Sequence, residues 1–293
     1  MFNFMSRHAA RCSLGVLTAL AAPAALADWE LNMPRGVTEI TNEVYDLHML
    51  IFWICVVIGI VVFGAMFWSI MFHRKSNHPT PAKFSHSTAA EVIWTAIPIV
   101  ILVAMAFPAA KTLVAIEDSG SPDMTVKVTG YQWKWHYEYL EEKVDFFSSL
   151  DSSSNMARQL DSGIDPATVD NYLLDVDNPL VVPVDTKVRI LLTANDVIHA
   201  WWVPELSGKR DAIPGFVNQL WFKTDTPGTY RGQCAELCGY DHGFMPIVVV
   251  VKEEADYLAW LGEQGVDDPA RFARKNQDLT PDVAPVATEA AAR

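Results

Sequence analysis

The sequence predicts a two-helix transmembrane hairpin followed by an exported all-β domain, and three observations carry that prediction. Two long apolar stretches stand in the first half of the chain, from Leu47 to Phe72 and from Val92 to Ile116. Beyond Asp118 the pattern changes to short β-rich runs between Pro, Gly and Asp turns, the signature of an antiparallel sandwich or barrel of about 100 residues. Late in that region, the run Gly232-Gln-Cys-Ala-Glu-Leu-Cys-Gly-Tyr-Asp-His-Gly-Phe-Met245 gathers two thiols, an imidazole and a thioether.

The elements follow in chain order. Arg7, His8 and Arg11 precede an apolar core from Leu14 to Leu20, and Ala25-Leu26-Ala27 stands before Asp28. Positive start, short apolar core and small-residue cleavage site describe a secretory signal, so residues 1–27 are excluded from the fold. The core is too short to cross ~30 Å of hydrocarbon as a helix. Leu47–Phe72 has no Asp, Glu, Lys or Arg and at about 25 residues spans a bilayer. Val92–Ile116 carries Pro98, Pro108 and, near its end, Lys111; a membrane bundle tolerates such prolines. Burying both helices in a soluble domain instead would need a far larger core than the rest of the chain offers.

The loop between the helices holds His73, Arg74, Lys75 and Lys83 with no acid before Glu91, whereas Glu39, Glu43 and Asp46 precede the first helix. The positive-inside bias makes that loop cytoplasmic and puts both mature termini outside. A cleaved signal demands the same orientation. The expected organisation is thus a signal at 1–27, an N-terminal segment and hairpin at 28–117, a β domain at 118–262 and a disordered tail at 263–293. Candidate strands include Met124–Val128, Leu180–Val184, Val188–Leu192 and Met245–Val251, and Glu253–Gly262 reads as a short helix. The polar stretch 141–177 has no clean strand period and reads as an insertion with a short helix near Pro166–Leu174. The net charge of −13 over 293 residues, with the acids mainly beyond residue 117, argues against a nucleic-acid partner and for a basic one. Ordinary solubility explains many of the same acids.

The soft donors of the late run, thiolate and thioether with imidazole, favour copper over oxygen-preferring cations, and a weak axial Met marks electron-transfer copper sites. A mononuclear site of that kind uses one Cys. Here Cys234 and Cys238 lie four apart, so two thiolates can bridge two metal ions while His242 and Met245 close the site. Upstream, Ile198-His199-Ala200-Trp201-Trp202 offers a second imidazole. Two alternatives stay open at this level. An exported chain favours a Cys234–Cys238 disulfide, which leaves His242, Met245 and His199 unexplained. A tetrahedral zinc site would accept two Cys and two His, without needing the Met or showing the usual short ligand pairings.

Five separate motifs give the chain a close resemblance to subunit II of the haem-copper cytochrome c oxidases: Ala90-Glu-Val-Ile-Trp-Thr-Ala-Ile-Pro98, Gly130-Tyr-Gln-Trp-Lys-Trp-His-Tyr-Glu-Tyr139, Asp196-Val-Ile-His-Ala-Trp201, Asp211-Ala-Ile-Pro-Gly215, and the late run through Pro246. The resemblance covers nearly all of the mature chain. It implies a cupredoxin-like Greek-key sandwich or barrel with a binuclear copper A centre. His199, Cys234, Cys238, His242 and Met245 would supply side-chain ligands and Glu236 its backbone carbonyl. The Glu236 carboxylate would also hold magnesium or manganese at the contact with subunit I, a reasonable role for an oxygen donor.

The resemblance further implies that Trp133 accepts electrons where cytochrome c docks and that Glu91 stands at the entrance of a proton pathway. Tyr131, Trp133, Trp135, Tyr137 and Tyr139 alternate at strand period, which would put all five on one face of one strand. Glu138, Asp196 and Asp241 are candidate docking acids for a basic cytochrome c; Asp241, next to His242, equally suits a loop-shaping role. The implied function is electron uptake from cytochrome c and transfer to haem in subunit I, for reduction of oxygen to water coupled to proton pumping. The implied setting is a bacterial inner membrane with the β domain on the periplasmic side. The alternative is a membrane-anchored copper-binding or delivery protein; it explains the ligands but neither Trp133 nor Glu91. No Cys-x-x-Cys-His run occurs, so no fused cytochrome c domain is expected.

Overall fold

The computed structural model describes residues 32–80 and 83–273. The chain divides after Pro34 into two compact units, and every described helix and strand lies in the second. The expected signal at 1–27 and residues 274–293 of the expected tail lie outside the described residues.

Helix α1 (Glu39–Phe72) opens on a capping box. The Thr38 hydroxyl accepts from the Thr41 amide at 3.1 Å, and the Thr41 hydroxyl accepts from the Thr38 amide at 3.2 Å, satisfying donors that a helix start leaves bare. The helix therefore begins before the apolar stretch that announces it. Glu43 in this polar first part pairs with Lys111 of helix α2 (Thr88–Glu117) at 3.7 Å. Helix α2 is capped by Ser87 and runs continuously through Pro98 and Pro108. Both helices are long and apolar enough to cross a membrane, and Phe63, Trp68, Val100 and Phe107 stand exposed on them. Apolar surface of that extent is stable against lipid or other helices, not against water.

Both helices are tied to the β domain. Thr38 Oγ1 donates to the Leu206 carbonyl at 3.0 Å, and Trp221 Nε1 donates to the Ala115 carbonyl at 3.2 Å. Among the described residues the strands are β1 (Met124–Tyr131), β2 (Lys134–Tyr139), β3 (Val144–Ser148), β4 (Leu180–Pro183), β5 (Val188–Ala194), β6 (His199–Trp201), β7 (Arg210–Ala212), β8 (Asn218–Phe222), β9 (Gly228–Gln233) and β10 (Pro246–Lys252). One sheet runs β3-β2-β1-β5-β8 and a second β4-β10-β9, with β6-β7 as a short ribbon. Val126, Val128, Ile190 and Leu192 of the first sheet share one core with Leu180 and Val249 of the second, each buried side chain worth about 1.5–3 kcal/mol. Tyr139 pins the sheets together: its hydroxyl donates to the Val181 carbonyl at 2.8 Å and accepts from the Val181 amide at 2.9 Å.

Four expectations need correction. The sheets are mixed rather than antiparallel, because β1 pairs β5 and β4 pairs β10 in parallel. After β3 the chain crosses to the second sheet as β4 before returning as β5, and such crossovers permit parallel neighbours. The five alternating aromatics do not share a strand. The chain reverses at Gln132-Trp133, with Tyr131 opposite Lys134, so Trp135, Tyr137 and Tyr139 enter the core on β2 while Tyr131 and Trp133 stay half-buried before it.

The stretch 141–177 contains β3 and a six-residue helix α3 (Ser152–Ala157), with only a 3₁₀ turn at Pro166–Thr168 where a helix to Leu174 is expected. Positive φ at Asn171 (48°) and Leu173 (63°) ends any helical path there. Finally, after helix α4 (Glu254–Glu263) the chain stays packed as far as Phe272, whose buried ring lies 5.1 Å from that of Tyr257. A single aromatic past a polar stretch is a weak sequence signal for that packing.

Candidate metal centre

The site forms where strand β6 meets the loop between β9 and β10. Gln233 pairs with Pro246 across the antiparallel β9-β10 ladder, so the loop 234–245 springs from two fixed points. Its first arm is bonded to the strand that bears His199: the Gln233 amide donates to the Trp202 carbonyl at 3.1 Å and the Ala235 amide to the Ala200 carbonyl at 3.0 Å. Gly232 makes this approach possible, since a Cβ there would fall 2.0 Å from the Trp202 oxygen. Gly130 does the same for the imidazole, because a Cβ at that position would lie 2.8 Å from His199 Cδ2. Two glycines thereby let residues 35 apart in sequence, His199 and Cys234, share one site.

Cys234 and Cys238 are buried free thiols with their sulfurs 3.8 Å apart, and the disulfide alternative is not what the structure holds. Each sulfur has its own flank. Cys234 Sγ lies 3.9 Å from His199 Nδ1 and 3.4 Å from the Glu236 carbonyl. Cys238 Sγ lies 3.4 Å from His242 Nδ1 and 3.6 Å from Met245 Sδ. The donor atoms of His199, Cys234 and Cys238 all fall within 4.8 Å of one another. Two central thiols, an imidazole at each end, and one weak donor per flank fit soft-metal chemistry and suit two ions better than one.

The electrostatics separate the thiols. Burial opposes ionisation of Cys234, but hydrogen bonds from His199 and from loop backbone groups outweigh it and bring this thiol down to about 7. Burial, and then the charge of Cys234, push Cys238 up to about 12. Burial disfavours a charged His199 as well, yet Cys234 and Asp196 together raise its pKa above the ordinary value. Asp196 accepts from His199 Nε2 at 2.9 Å and from the Gln132 amide at 2.7 Å. Desolvation works against its charge too, and these bonds still hold it below the usual carboxylate range.

The β1-β2 turn faces the loop from the other side. Trp133 Nε1 donates to the Cys238 carbonyl at 3.3 Å and Gln132 Nε2 to the same oxygen at 2.8 Å, while buried Trp135 donates to the Met245 carbonyl at 3.3 Å. Gly239, at φ +118°, leaves room for the Trp133 ring. Gln132, Trp135 and Gly130 were missed as site residues, although all three lie inside the 130–139 motif.

The three acids expected to dock a basic partner meet different fates. Glu138 pairs with Lys127 at 2.8 Å, Asp241 with Arg158 at 3.3 Å, and Asp196 is committed to His199. The Glu236 side chain is exposed. Glu91 is not brought to this site: it lies in the first turn of α2, about 40 Å along the helix from Glu117, at ~1.5 Å per residue.

Known proteins agree with this division of the chain. The family described as cytochrome c oxidase subunit II, periplasmic domain, matches residues 124–252, and the transmembrane domain of the same subunit matches residues 26–112. A probable cytochrome c oxidase subunit 2 of Rickettsia prowazekii is 41% identical over 80% of this chain and 72% of its own length. Cytochrome c oxidase subunit 2 of Cereibacter sphaeroides is 36% identical over 85% of this chain and 89% of its own. The crystal structure of the periplasmic domain of subunit II (CoxB) of Bradyrhizobium japonicum is 38% identical, covers 50% of this chain and 96% of that one, and gives a TM-score of 0.44. With both halves matched in chain order, and with relatives aligned over four fifths of its length, the chain belongs to the cytochrome c oxidase subunit II family.

Proposed function

We propose that this subunit takes electrons from a cytochrome c and hands them to haem in subunit I, where oxygen is reduced to water with proton pumping. The observation that carries the reading is the two-flank donor set about sulfurs 3.8 Å apart. His199, Cys234, the Glu236 carbonyl, Cys238, His242 and Met245 would hold a copper A pair. Two coppers bound there supply one-electron transfer with little rearrangement. The protein's part is to keep the donors in place beforehand: Asp196 fixes the tautomer and plane of His199, and Trp135 holds the Met245 backbone.

Trp133 is the electron-uptake residue, half-buried and bonded to the carbonyl of Cys238. Of the docking acids, Glu138 has a half-exposed carboxylate to offer a basic partner; Asp196 and Asp241 serve the loop instead. Exposed Glu236 is the residue for magnesium or manganese at the subunit I contact, and Glu91 marks a proton entrance at the other membrane face. The setting is a bacterial inner membrane with the β domain and both mature termini periplasmic, after removal of residues 1–27.

The test is metal content and the electron paramagnetic resonance spectrum of the purified, oxidised complex. A hyperfine pattern from one electron shared by two copper nuclei is expected at this subunit. A single-copper pattern, or zinc in place of copper, overturns the reading.

A further inference from the structure

Beyond β3, the polar excursion up to residue 177 is a braced arm, and it reaches the loop of proposed metal ligands. Its base is closed by a bridge between Leu150 and Val176, by the Asp151 amide donating to the Asp175 carbonyl at 3.0 Å, and by the Asp177 amide donating to the Ser149 carbonyl at 3.0 Å. Inside the arm, the fully buried Ser154 accepts from the Leu173 amide at 3.1 Å. Two arginine–carboxylate pairs join arm to site. Arg231 of β9, three residues before Cys234, reaches Asp175 at 3.4 Å. Arg158, which caps α3, reaches both oxygens of Asp241 at 3.3 and 3.4 Å and lays its guanidinium 4.2 Å over the Phe244 ring.

Asp241 and Phe244 flank His242. The three-residue 3₁₀ turn that carries this histidine has no side-chain cap, because the Asp241 carboxylate faces Arg158 instead. Gly239 and Gly243 on either side add no side-chain contacts that would stiffen the loop, and a Cβ at Gly243 would meet nothing within 4 Å. The His242 ring faces the thiols, with Nδ1 3.4 Å from Cys238 Sγ, one of the proposed ligands. Gln132, Trp133 and Trp135 hold the loop at the Cys238 and Met245 carbonyls, and between those points Arg158 grips both ends of the turn. Asn155 aims the guanidinium by accepting from Arg158 Nε at 2.8 Å.

We propose that Arg158 is a positioning residue of the metal centre: through Asp241 and Phe244 it fixes His242 against Cys238, and the arm that follows β3 exists in this chain to deliver it. This rests on the copper reading above. Lysine would keep the charge but neither the two-pronged bond nor the flat stacking face.

The experiment uses the purified complex carrying Arg158→Ala, Arg158→Lys or Asp241→Asn, read by copper content, by the rate of copper loss to a chelator and by the hyperfine pattern. With copper content at the parent level, Arg158→Ala is expected to lose copper about 10-fold faster, the size of effect seen when partners of metal ligands are removed, and to show altered hyperfine splitting. Arg158→Lys should fall between. Adding Asp241→Asn to Arg158→Ala should bring no further loss, because Arg158→Ala has already removed the partner of Asp241. If Arg158→Ala does not assemble, Asp241→Asn decides, since it removes the carboxylate charge and leaves the arm untouched. Parent-like loss rate and spectrum overturn the role of Arg158 while leaving the copper reading intact. A parent complex without copper at this subunit overturns both.

Discussion

His199 and His242 stand on opposite flanks of the same two thiols, and the chain secures them by different means. His199 rides on a strand, fully buried, with its ring 5.9 Å from that of Trp135, its Nε2 on Asp196, and Gly130 beneath it. It is fixed by its contacts with the core. His242 lies on a half-exposed turn between glycines, and Arg158 from a distant arm bonds the neighbouring Asp241. A wholly core-bound site would be rigid but closed. A wholly loop-bound site would be open but loose. Splitting the proposed ligands gives one flank ordered by the core and one shaped by contacts from outside its own turn.

The sharpest way to break this contrast is Asp196→Asn. It weakens the hydrogen bond that orients His199 and perturbs the one to Gln132, so the strand-borne flank loses its advantage. Copper affinity should fall about 10- to 100-fold, equalling or exceeding the Arg158→Ala effect, and thermal stability should drop slightly, since a charged hydrogen bond to His199 becomes a neutral one, a difference of about 1 kcal/mol. Competition against a chelator and a melting curve check both. A smaller loss than for Arg158→Ala would mean that the core does not pre-form the His199 flank.

The pH dependence of copper uptake sharpens the same contrast. Metal binding displaces protons from its ligands. Below about pH 7 both thiols are protonated, and His199, raised above its ordinary value, still carries a proton over part of that range. Above it Cys234 is ionised and Cys238, pushed up to about 12, remains protonated. Affinity should therefore climb with pH throughout, about 10-fold per pH unit for each proton displaced, and more steeply below neutrality than above. Asp196→Asn should flatten the acid side by removing one of the partners that raise His199. Equal slopes on both sides of pH 7 in the parent protein would contradict the asymmetry between the thiols.

The same division governs what could be read from the sequence. The hairpin was legible because about 25 uncharged apolar residues have few other fates, and the clustering of Cys234, Cys238, His242 and Met245 because they lie within a dozen positions. The His199 flank was partly legible, since Asp196 and His199 share one short motif, although Asp196 reads there as a docking acid. Arg158 was not. It is 83 residues from Asp241, sits in a stretch without period, and acts only because the arm folds back. The hairpin reversal at Gln132-Trp133 was hidden for another reason: alternation alone continues smoothly across the turn, and nothing in the aromatic pattern marks where one strand ends.

The smallest expected effect concerns the surface beside the site. Glu138 and Lys127 form a pair at 2.8 Å with both side chains about 40% exposed, and such pairs contribute roughly 0–1 kcal/mol. Glu138→Gln should therefore leave melting, copper content and hyperfine pattern unchanged. It should slow association with a basic cytochrome c a few-fold at low salt, because surface charge acts on encounter. At ~0.1 M salt, where screening extends over ~10 Å, the difference should shrink sharply. Stopped-flow oxidation of the cytochrome over a salt series separates the outcomes. A slowing that persists at high salt would place Glu138 in the electron-transfer contact itself, and no slowing at any salt would move the docking surface away from β2, towards the exposed side of the His242 turn.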